Sequence, residues 1–503
     1  MVKRIAEQLE FRRARIPVVG NAEYERFEWR LVFIDRLLES SGLEDEAVEV
    51  GLIRWEAEVR AEAAKVGRGC RKPSARVLAR WRRTLRQALR CNLARYWTER
   101  PYRRFSRRLA ESPLWQTFCR VDHLDFVRVP SKSALDRYAK MFPEGEVRAL
   151  ANRLNRLAVE GEVGLKTRID LETSLSDSTC VKAMIHFPTD WVLLRDGVRT
   201  LMKSILVIRR HGMKRRMPEP EQFLRSINRL SIAMSQSRRR EHGRKLRKRV
   251  LREMKRLSKV VMRHAGRYRE ELAKNWRSQT DLKEGHVRVI LNRLDGILAR
   301  LPVAIRQAHE RLIGERLVAN EQKILSLYER DLHVIVRGKA DAEVEFGNTL
   351  WLTEQGQGLI IDWKLLKDIS PGDAALMRFS QRRIHEVFGR HAGSAVGDRG
   401  LWSRENVRYL KDEAIFNALC PRDPAELGKR MKTKRFRQLQ RRRAQTEGRI
   451  GILKNVFLGR PLNTKGFENR QGAVTWAVLG HNLWRLSALA WTEHRQAEKK
   501  KAA

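Results

Sequence analysis

The stretch EVGLKTRIDLETSLSDSTCVKAMIHFPTD, residues 162–190, interrupts the helical patterns on either side of it. Thr, Ile, Leu, Ser and Val dominate this stretch, and the three-to-four spacing of apolar residues disappears. These residue types predict a strand over residues 167–177, with Asp177 at its end. The following segment 191–209, WVLLRDGVRTLMKSILVIR, restores an apolar helical pattern.

Further strands are predicted toward the C-terminus. Residues 331–366, DLHVIVRGKADAEVEFGNTLWLTEQGQGLIIDWKLL, indicate two or three strands with glycine-centred turns. Two short strands are predicted within 393–400 (GSAVGDRG) and 413–422 (EAIFNALCPR). Helical patterns alternate with these strands over residues 372–390, 402–411, 427–453 and 471–491. This order predicts an α/β mixed fold, in which a mixed sheet carries helices on its faces.

The rest of the chain is predicted to be helical, apart from a short polar end. The predicted parts are a helical N-terminal region (1–105), a helical segment (106–162), the first part of the sheet-containing core (163–204), a basic helical insertion (205–328), the remainder of the core (329–492) and a disordered basic tail (493–503).

The segment 106–162 contains two short helical patterns separated by Pro143 and Gly145, and Ser131 can cap the first of them. This spacing permits a helix-turn-helix that binds DNA through three basic residues, Lys132, Arg137 and Lys140. Short helical hairpins also occur in many folds that bind no DNA, so both interpretations stay open.

The insertion 205–328 is strongly basic. Six apolar residues fall on one helical face: Leu246, Val250, Met254, Leu257, Val261 and Tyr268. Eight basic residues crowd the start of this helix: Arg238, Arg239, Arg240, Arg244, Lys245, Arg247, Lys248 and Arg249. Such a run is usually a solvated face. In this chain it is also a candidate for an arm that contacts DNA phosphates.

Charge identifies the favoured class of partner. The 503 residues include 105 Lys and Arg against 60 Asp and Glu, which gives a formal net charge of +45. An excess of this size repels itself unless a polyanion neutralises it, so DNA or RNA is expected to bind. No stretch approaches the ~20 apolar residues that span a bilayer, and the N-terminus has no apolar export signal. We therefore expect a cytoplasmic protein with no membrane partner.

Three acidic residues stand at informative places in the predicted order: Asp177 at the end of the first strand, Asp398 after a later strand and Glu447 on the penultimate helix. Phosphodiester chemistry needs carboxylates, because two Mg²⁺ ions held by them can stabilise both the attacking and the leaving oxygen. Each acid also has an ordinary interpretation. Asp398 is a typical turn residue, and Glu447 can pair with Arg443 one helical turn earlier.

The chain resembles the bacterial insertion-sequence transposases of the DDE type. The resemblance rests on D-S-T at 177–179, I-H-F-P-T-D at 185–190, L-L-x-D-G-V-R at 193–199, V-E-F-G-N at 344–348, G-D-R-G at 397–400 and E-G-x-I-G-x-L-K at 447–454. It implies an RNase H-like catalytic core with a helical N-terminal region and a large helical insertion after the first strand. It also implies that Asp177, Asp398 and Glu447 are the catalytic triad.

The resemblance implies the cofactors, the partners and the reaction as well. Two divalent metal ions, Mg²⁺ with Mn²⁺ as an in vitro alternative, would bind the triad. Water would cut the transposon end, and the freed 3′-hydroxyl would attack target DNA with no covalent protein intermediate. The partners would be double-stranded DNA, as terminal inverted repeats and target, and a second copy of the chain in a homodimer. Localisation would be bacterial, cytoplasmic and nucleoid-associated.

Several alternatives remain at the level of sequence. Asp190 and Asp196 could replace Asp177, although Asp190 fits better as the N-cap of the next helix, and Glu468 could replace Glu447. Three further basic residues could contact phosphates near the metals or form structural ion pairs: Arg399, Arg443 and Lys454. A nuclease with the same core, or a non-catalytic architectural DNA-binding protein, would share most of these features.

Overall fold

The computed structural model describes residues 15–65, 67, 72–98, 101–237, 242–339 and 342–502. The strands in these residues are β1 (Ser174–Lys182), β2 (His333–Lys339), β3 (Ala342–Gln355), β4 (Ile360–Leu365), β5 (Ser394–Gly397) and β6 (Phe416–Leu419). The helices are α1 (Ala22–Ser40), α2 (Leu43–Lys65), α3 (Ala75–Trp97), α4 (Tyr102–Glu111), α5 (Pro113–Phe118), α6 (Lys132–Lys140), α7 (Glu144–Glu160), α8 (Asp190–Arg210), α9 (Pro220–Gln236), α10 (Gly243–Gln279), α11 (Glu284–Leu312), α12 (Asp373–Phe388), α13 (Arg404–Asp412), α14 (Pro424–Met431), α15 (Lys434–Arg442), α16 (Ala444–Ile452) and α17 (Phe467–Ala502).

One mixed sheet contains all six strands, which confirms the predicted mixed α/β fold. β1 lies between β3, which is antiparallel to it, and β5, which is parallel to it. β3 also pairs antiparallel with β2 along its first half and with β4 along its second half. β6 continues the sheet parallel to β5.

Helices cover both faces of this sheet. On one face, α12 and α13 pack through Leu376, Met377 and Leu410 against Trp351. On the other face, α15 packs through Phe436 against Leu175, while α16 packs against β1 and β3. β1 is therefore contacted by helices on both faces of the sheet, by α12 on one face and by α16 on the other.

The N-terminal helices α1 to α7 share one continuous hydrophobic core with α17, β3 and β4. The predicted boundary at residue 105 therefore does not separate two cores. Ser131 caps α6, as predicted, by accepting a hydrogen bond from the backbone N–H of Ala134 at 3.2 Å. α6 packs on α3 and α4, whereas α7 packs on α2, α12 and α17, and a helix-turn-helix at this place stays a prediction.

Helices α8 to α11 form a bundle around a core of their own, which lies between β1 and β2 in the chain. The predicted apolar face of α10 is confirmed, since Val250, Met254, Val261 and Tyr268 are buried there. The bundle begins earlier than predicted. α8 packs on α9, α10 and α11, so residues 190–204 belong to the bundle rather than to the sheet-containing core.

The position of the first strand differs from the prediction. β1 begins at Ser174, not at residue 167, because its antiparallel partner β3 ends at Gln355, which pairs with Ser174. Before this point the backbone N–H of Thr167 binds the Glu493 carboxylate at 2.6 Å instead of a strand. Since β1 continues to Lys182, Asp177 lies inside the strand and not at its end.

The predicted disordered tail 493–503 is also corrected, because α17 continues through Ala502. Glu493 ties this part of the helix to the segment before β1 through the N–H groups of Lys166 and Thr167. His494 stacks on Trp29 of α1, with ring centroids 5.0 Å apart. These contacts extend the helix beyond its apolar sequence. In the described parts of the chain, no helix is both long and apolar enough to cross a membrane.

Candidate active site

Asp177 lies on the face of the sheet that α15 and α16 cover. Side chains alternate along a strand, so Asp177 shares its face with Leu175 and Thr179. Leu175 packs against Val396 of β5 and Phe436 of α15 on that face. Asp177 is partly buried, and its Oδ1 accepts a hydrogen bond from the N–H of Ser178 at 2.7 Å.

β1, which contains Asp177, and β5, which directly precedes Asp398, are parallel neighbours in the sheet. Ser174 pairs with Ala395 and Leu175 with Val396. The pairing ends there. Asp177 lies two residues further along β1, and Asp398, the first residue after β5, lies two residues beyond Val396.

Asp398 also shapes the turn that follows β5. Its Oδ1 accepts hydrogen bonds from the N–H of Gly400 at 2.8 Å and of Leu401 at 3.3 Å. The turn interpretation of G-D-R-G is therefore correct for this oxygen. Both bonds use Oδ1, and they fix the orientation of the carboxylate beside the end of β5.

Glu447 lies on α16, which packs on the same face of the sheet. The neighbouring Thr446 and Ile450 are buried, whereas 59% of the Glu447 side chain is exposed. Its Oε1 lies 3.5 Å from Nη1 of Arg443, one helical turn earlier. The ion pair with Arg443, which was the structural alternative to a catalytic role for Glu447, is thus present.

Contacts on either side of α16 establish its rotation about its own axis. Arg449 contacts Glu354 of β3, with Nε donating to Oε2 at 2.9 Å. Glu447 precedes Arg449 by two residues, which turns it by ~200° toward the opposite side of the helix. Lys454, seven residues after Glu447 and on the same side, donates from Nζ to Thr179 Oγ1 of β1 at 3.0 Å. The side of α16 that carries Glu447 therefore faces away from Glu354, and 59% of the Glu447 side chain is exposed.

Lys454 is much more buried than a phosphate-binding lysine on an open surface. Only 9% of the residue is exposed, and it lies in a π-helical turn, Leu453–Leu458, that continues α16. Its contact Thr179 stands two residues after Asp177 on the same strand face. A cationic group thus binds β1 two residues after Asp177.

A buried polar network anchors α16, and no sequence pattern had singled it out. Glu354 is fully buried in β3 and binds Arg449. Arg449 Nη1 lies 3.2 Å from His481 Nε2, and His481 Nδ1 lies 2.9 Å from Asn482 Oδ1. Asn482 also accepts from the N–H of Ile360 in β4 at 3.0 Å. The one available signal was a glutamate inside the apolar strand pattern LWLTEQ.

His481 is neutral in this network. Burial, followed by the nearby charge of Arg449, lowers the pKa of His481 to about 3. Since Arg449 can only donate, His481 Nε2 accepts, and Nδ1 carries the proton that is donated to Asn482. One neutral imidazole therefore links the cation on α16 to the amide on α17.

A basic surface borders the acidic residues. α15 packs on β5 and β6 through Phe436 and Leu439, which turns its charged residues outward. The exposed basic residues of this helix and of the two residues before it are Lys432, Lys434, Arg435, Arg437, Arg441 and Arg442. Arg399, directly after Asp398, is exposed as well, and its carbonyl accepts from Arg422 Nε at 3.2 Å.

The other predicted DNA-binding residues lie on separate elements. Lys132, Arg137 and Lys140 are exposed on α6, where Lys140 forms an ion pair with Asp136 at 2.6 Å. In the bundle, Arg244 pairs with Glu315, and Lys245 is exposed. Arg238, Arg239 and Arg240 lie outside the described residues.

The alternative acids lie elsewhere and have structural partners. Asp190 is buried as the first residue of α8, where it binds Arg311 at 2.9 Å and Gln307 at 2.8 Å. The predicted N-cap role for Asp190 is wrong, since Thr189 occupies the N-cap position. Asp196 pairs with Arg195 in the bundle at 3.0 Å.

Glu468, the alternative to Glu447, lies in the first turn of α17, and its Oε1 is 3.6 Å from Nζ of Lys367. The three proposed triad residues lie on neighbouring elements. Asp177 is on β1, Asp398 follows β5, which pairs with β1, and Glu447 is on α16, which packs on β1. Across the part of the chain that the structure describes, no three His, Cys, Asp or Glu side chains are grouped closely enough to bind a metal ion as they stand.

Comparisons of the chain with protein-family models, with curated proteins and with solved structures find no match.

Proposed function

We propose that the chain is a DNA transposase of the DDE type, which cuts transposon ends and joins them to target DNA. The observation that carries the proposal is the parallel pairing of β1 with β5, because Asp177 lies on β1 and Asp398 directly follows β5. Glu447 lies on α16, which packs on β1. Three carboxylates distant in sequence are thus carried by neighbouring elements of one core.

The arrangement of the sheet supports an RNase H-like assignment for the core. The strand with the first aspartate is central, with antiparallel neighbours on one side and parallel neighbours on the other. Helices cover both faces, and the second aspartate follows the adjacent parallel strand. The long helical insertion lies after the first strand and has a core of its own, so it leaves the sheet continuous.

The proposed cofactors are two divalent metal ions, Mg²⁺ or Mn²⁺, held by Asp177, Asp398 and Glu447. The donor set fits, because Mg²⁺ prefers carboxylate oxygens. Glu447 is paired at present, but its contact with Arg443 is long and exposed, and such pairs contribute only ~0.2–1 kcal/mol. It can therefore exchange its partner at small cost. When bound, the metal ions would stabilise charge on the attacking and leaving oxygens.

The chain's own residues would bind and orient the DNA. Exposed cations of α15, together with Arg399 beside Asp398, provide contacts for the phosphate backbone. Lys454 would hold a fixed positive charge beside β1. The proposed partners are double-stranded DNA, as terminal inverted repeats and target, and a second copy of the chain. Binding to chromosomal DNA would place the protein at the bacterial nucleoid.

The test is cleavage and joining of DNA that carries the element's own flanking ends, with Mg²⁺ or Mn²⁺ present. The variants are Asp177→Asn, Asp398→Asn and Glu447→Gln. Asp125→Asn, an exposed aspartate in a loop, is the matched control, and Glu468→Gln tests the alternative glutamate. We expect each triad variant to lose both reactions and to keep DNA binding, while both other variants stay active.

Each contrary result has a definite meaning. A triad variant with full activity would remove that residue from the site. Cleavage without joining in the wild type would favour a nuclease, and DNA binding without either reaction would favour an architectural protein. If Glu468→Gln lost activity while Glu447→Gln kept it, Glu468 would be the third carboxylate of the triad instead of Glu447.

A further inference from the structure

A pocket of about 560 Å³ lies among the N-terminal helices, on elements that carry none of the proposed triad. α1, α3, α4 and α5 supply its walls, and its aromatic residues are Phe27, Trp97 and Trp115. Small-molecule sites commonly have volumes of ~300–1,000 Å³, so one nucleotide can be accommodated.

The aromatic wall of the pocket is rigid. Trp115 is almost fully buried, and its ring lies 6.4 Å from that of Trp97 at an angle of 26°. Phe27 packs edge-on against Trp115 at 5.6 Å. Trp97 is fixed by its Nε1, which donates to the carbonyl of Gly480 at 2.9 Å. Phe27 and Trp97 remain partly exposed and present ring surface to the pocket.

The opposite wall is cationic. α4 buries Phe105 and Leu109 on one side, which turns Arg104, Arg107 and Arg108 toward the pocket. The guanidinium groups of Arg107 and Arg108 form no hydrogen bond or ion pair with any of the residues described. One acid, Glu111, lines the rim. Arg107 and Arg108 follow one another on α4, and a phosphate bound in the pocket could accept hydrogen bonds from both guanidinium groups.

We propose that this pocket binds one unpaired nucleotide of a DNA strand, with the base against Phe27 and Trp97 and the phosphate on Arg107 and Arg108. Aromatic side chains stack on bases that have left the duplex, and arginines beside them hold the backbone. A base that is still paired is stacked on its neighbours, so its faces are not available to an aromatic side chain. The site would thus bind a nucleotide of a single-stranded overhang or a nucleotide flipped out of the duplex.

The test compares binding of a single-stranded oligonucleotide and of a blunt duplex with the same number of phosphates, measured by fluorescence anisotropy. Arg108→Gln is the test variant. Arg103→Gln is its matched control, because Arg103 is exposed on the same helix but does not line the pocket. We expect Arg108→Gln to weaken single-strand binding about tenfold and Arg103→Gln to weaken it about twofold, with duplex binding falling equally in both.

Equal losses of single-strand binding in the two variants would overturn the proposal, as would equal losses of single-strand and duplex binding in Arg108→Gln. A second measurement uses a 2-aminopurine base at an unpaired end, whose fluorescence changes when it stacks on an aromatic ring. Trp97→Leu, once thermal unfolding shows that it is folded, should reduce that change, because only Phe27 then remains for stacking, and a change as large as in the wild type would overturn the proposal. Neither readout needs cleavage, so the outcome is independent of the proposed triad.

Discussion

Arg449 of α16 and Glu354 of β3 form a buried ion pair, with Nε and Oε2 2.9 Å apart, on the side of α16 opposite Glu447. A helix that lies on a sheet can rotate unless a specific contact prevents it. This pair supplies such a contact, because turning α16 would leave a buried carboxylate without its cation. The orientation of an exposed glutamate thus depends on two residues that are themselves remote from solvent.

We predict that Glu354→Gln lowers the free energy of unfolding by about 3–5 kcal/mol, because removing one partner leaves the buried Arg449 charge uncompensated. Chemical denaturation followed by circular dichroism measures this. Glu498→Gln, which breaks an exposed pair with Arg495, is the control and should cost less than about 1 kcal/mol. Similar values for the two variants would show that the buried pair does not anchor α16.

The neutral state of His481 predicts a dependence of stability on pH. Its folded-state pKa of about 3 lies below the ordinary 6.5, so the unfolded chain binds the proton more readily between these values. The stabilisation is complete above pH 6.5 and is lost as the pH falls. Between pH 7.5 and pH 5, His481 should reduce the free energy of unfolding by about 2 kcal/mol.

The control for this effect is His481→Gln, which keeps a hydrogen-bonding side chain and cannot titrate. Its free energy of unfolding should fall less steeply with pH than that of the wild type, by the amount attributed to His481. Parallel curves for the two proteins would mean that His481 titrates normally in the folded state and that other groups cause the acid sensitivity.

Lys454 leads to a prediction that separates chemistry from binding. Because its Nζ is held beside β1 by Thr179, Lys454→Met removes a fixed charge near Asp177 but alters little exposed surface. We expect strand cleavage to slow about a hundredfold, with DNA affinity unchanged within about twofold. Single-turnover cleavage and filter binding measure the two quantities. Lys465→Met, at an exposed lysine, should change neither, and loss of affinity without loss of rate for Lys454→Met would contradict the assignment.

Local patterns were sufficient to predict much of the sheet and its helices. The short strand predicted within 393–400 contains β5 at Ser394–Gly397, and the helical patterns predicted α12 and α13 to within a few residues. The three acids also lie on the types of element expected for them, apart from the position of Asp177 within β1. These features depend on neighbours in sequence, which is why they could be predicted.

Local sequence patterns could not predict contacts between residues that are distant in the chain. The start of β1 depends on where β3 ends, which the residues before Ser174 do not encode. The chain has 105 basic and 60 acidic side chains, which allow many possible ion pairs, so the sequence could not show that Glu354 pairs with Arg449. The helical end of α17 likewise depends on Glu493 and its contacts with another segment. Each of these features is tertiary in origin.

The basic face of α15 predicts how salt acts on DNA binding. If its exposed cations neutralise phosphates, binding releases counterions and log Kd rises linearly with log salt concentration. Arg437→Gln, at an exposed arginine of α15, should reduce that slope by about 1, as expected for one lost phosphate contact. Arg269→Gln is the control, since Arg269 already pairs with Asp295 through Nε at 2.7 Å, and it should leave the slope unchanged. Anisotropy titrations at several salt concentrations measure both. A flat salt dependence in the wild type would contradict phosphate neutralisation as the main source of affinity, and equal slopes for the two variants would place the DNA on another surface than α15.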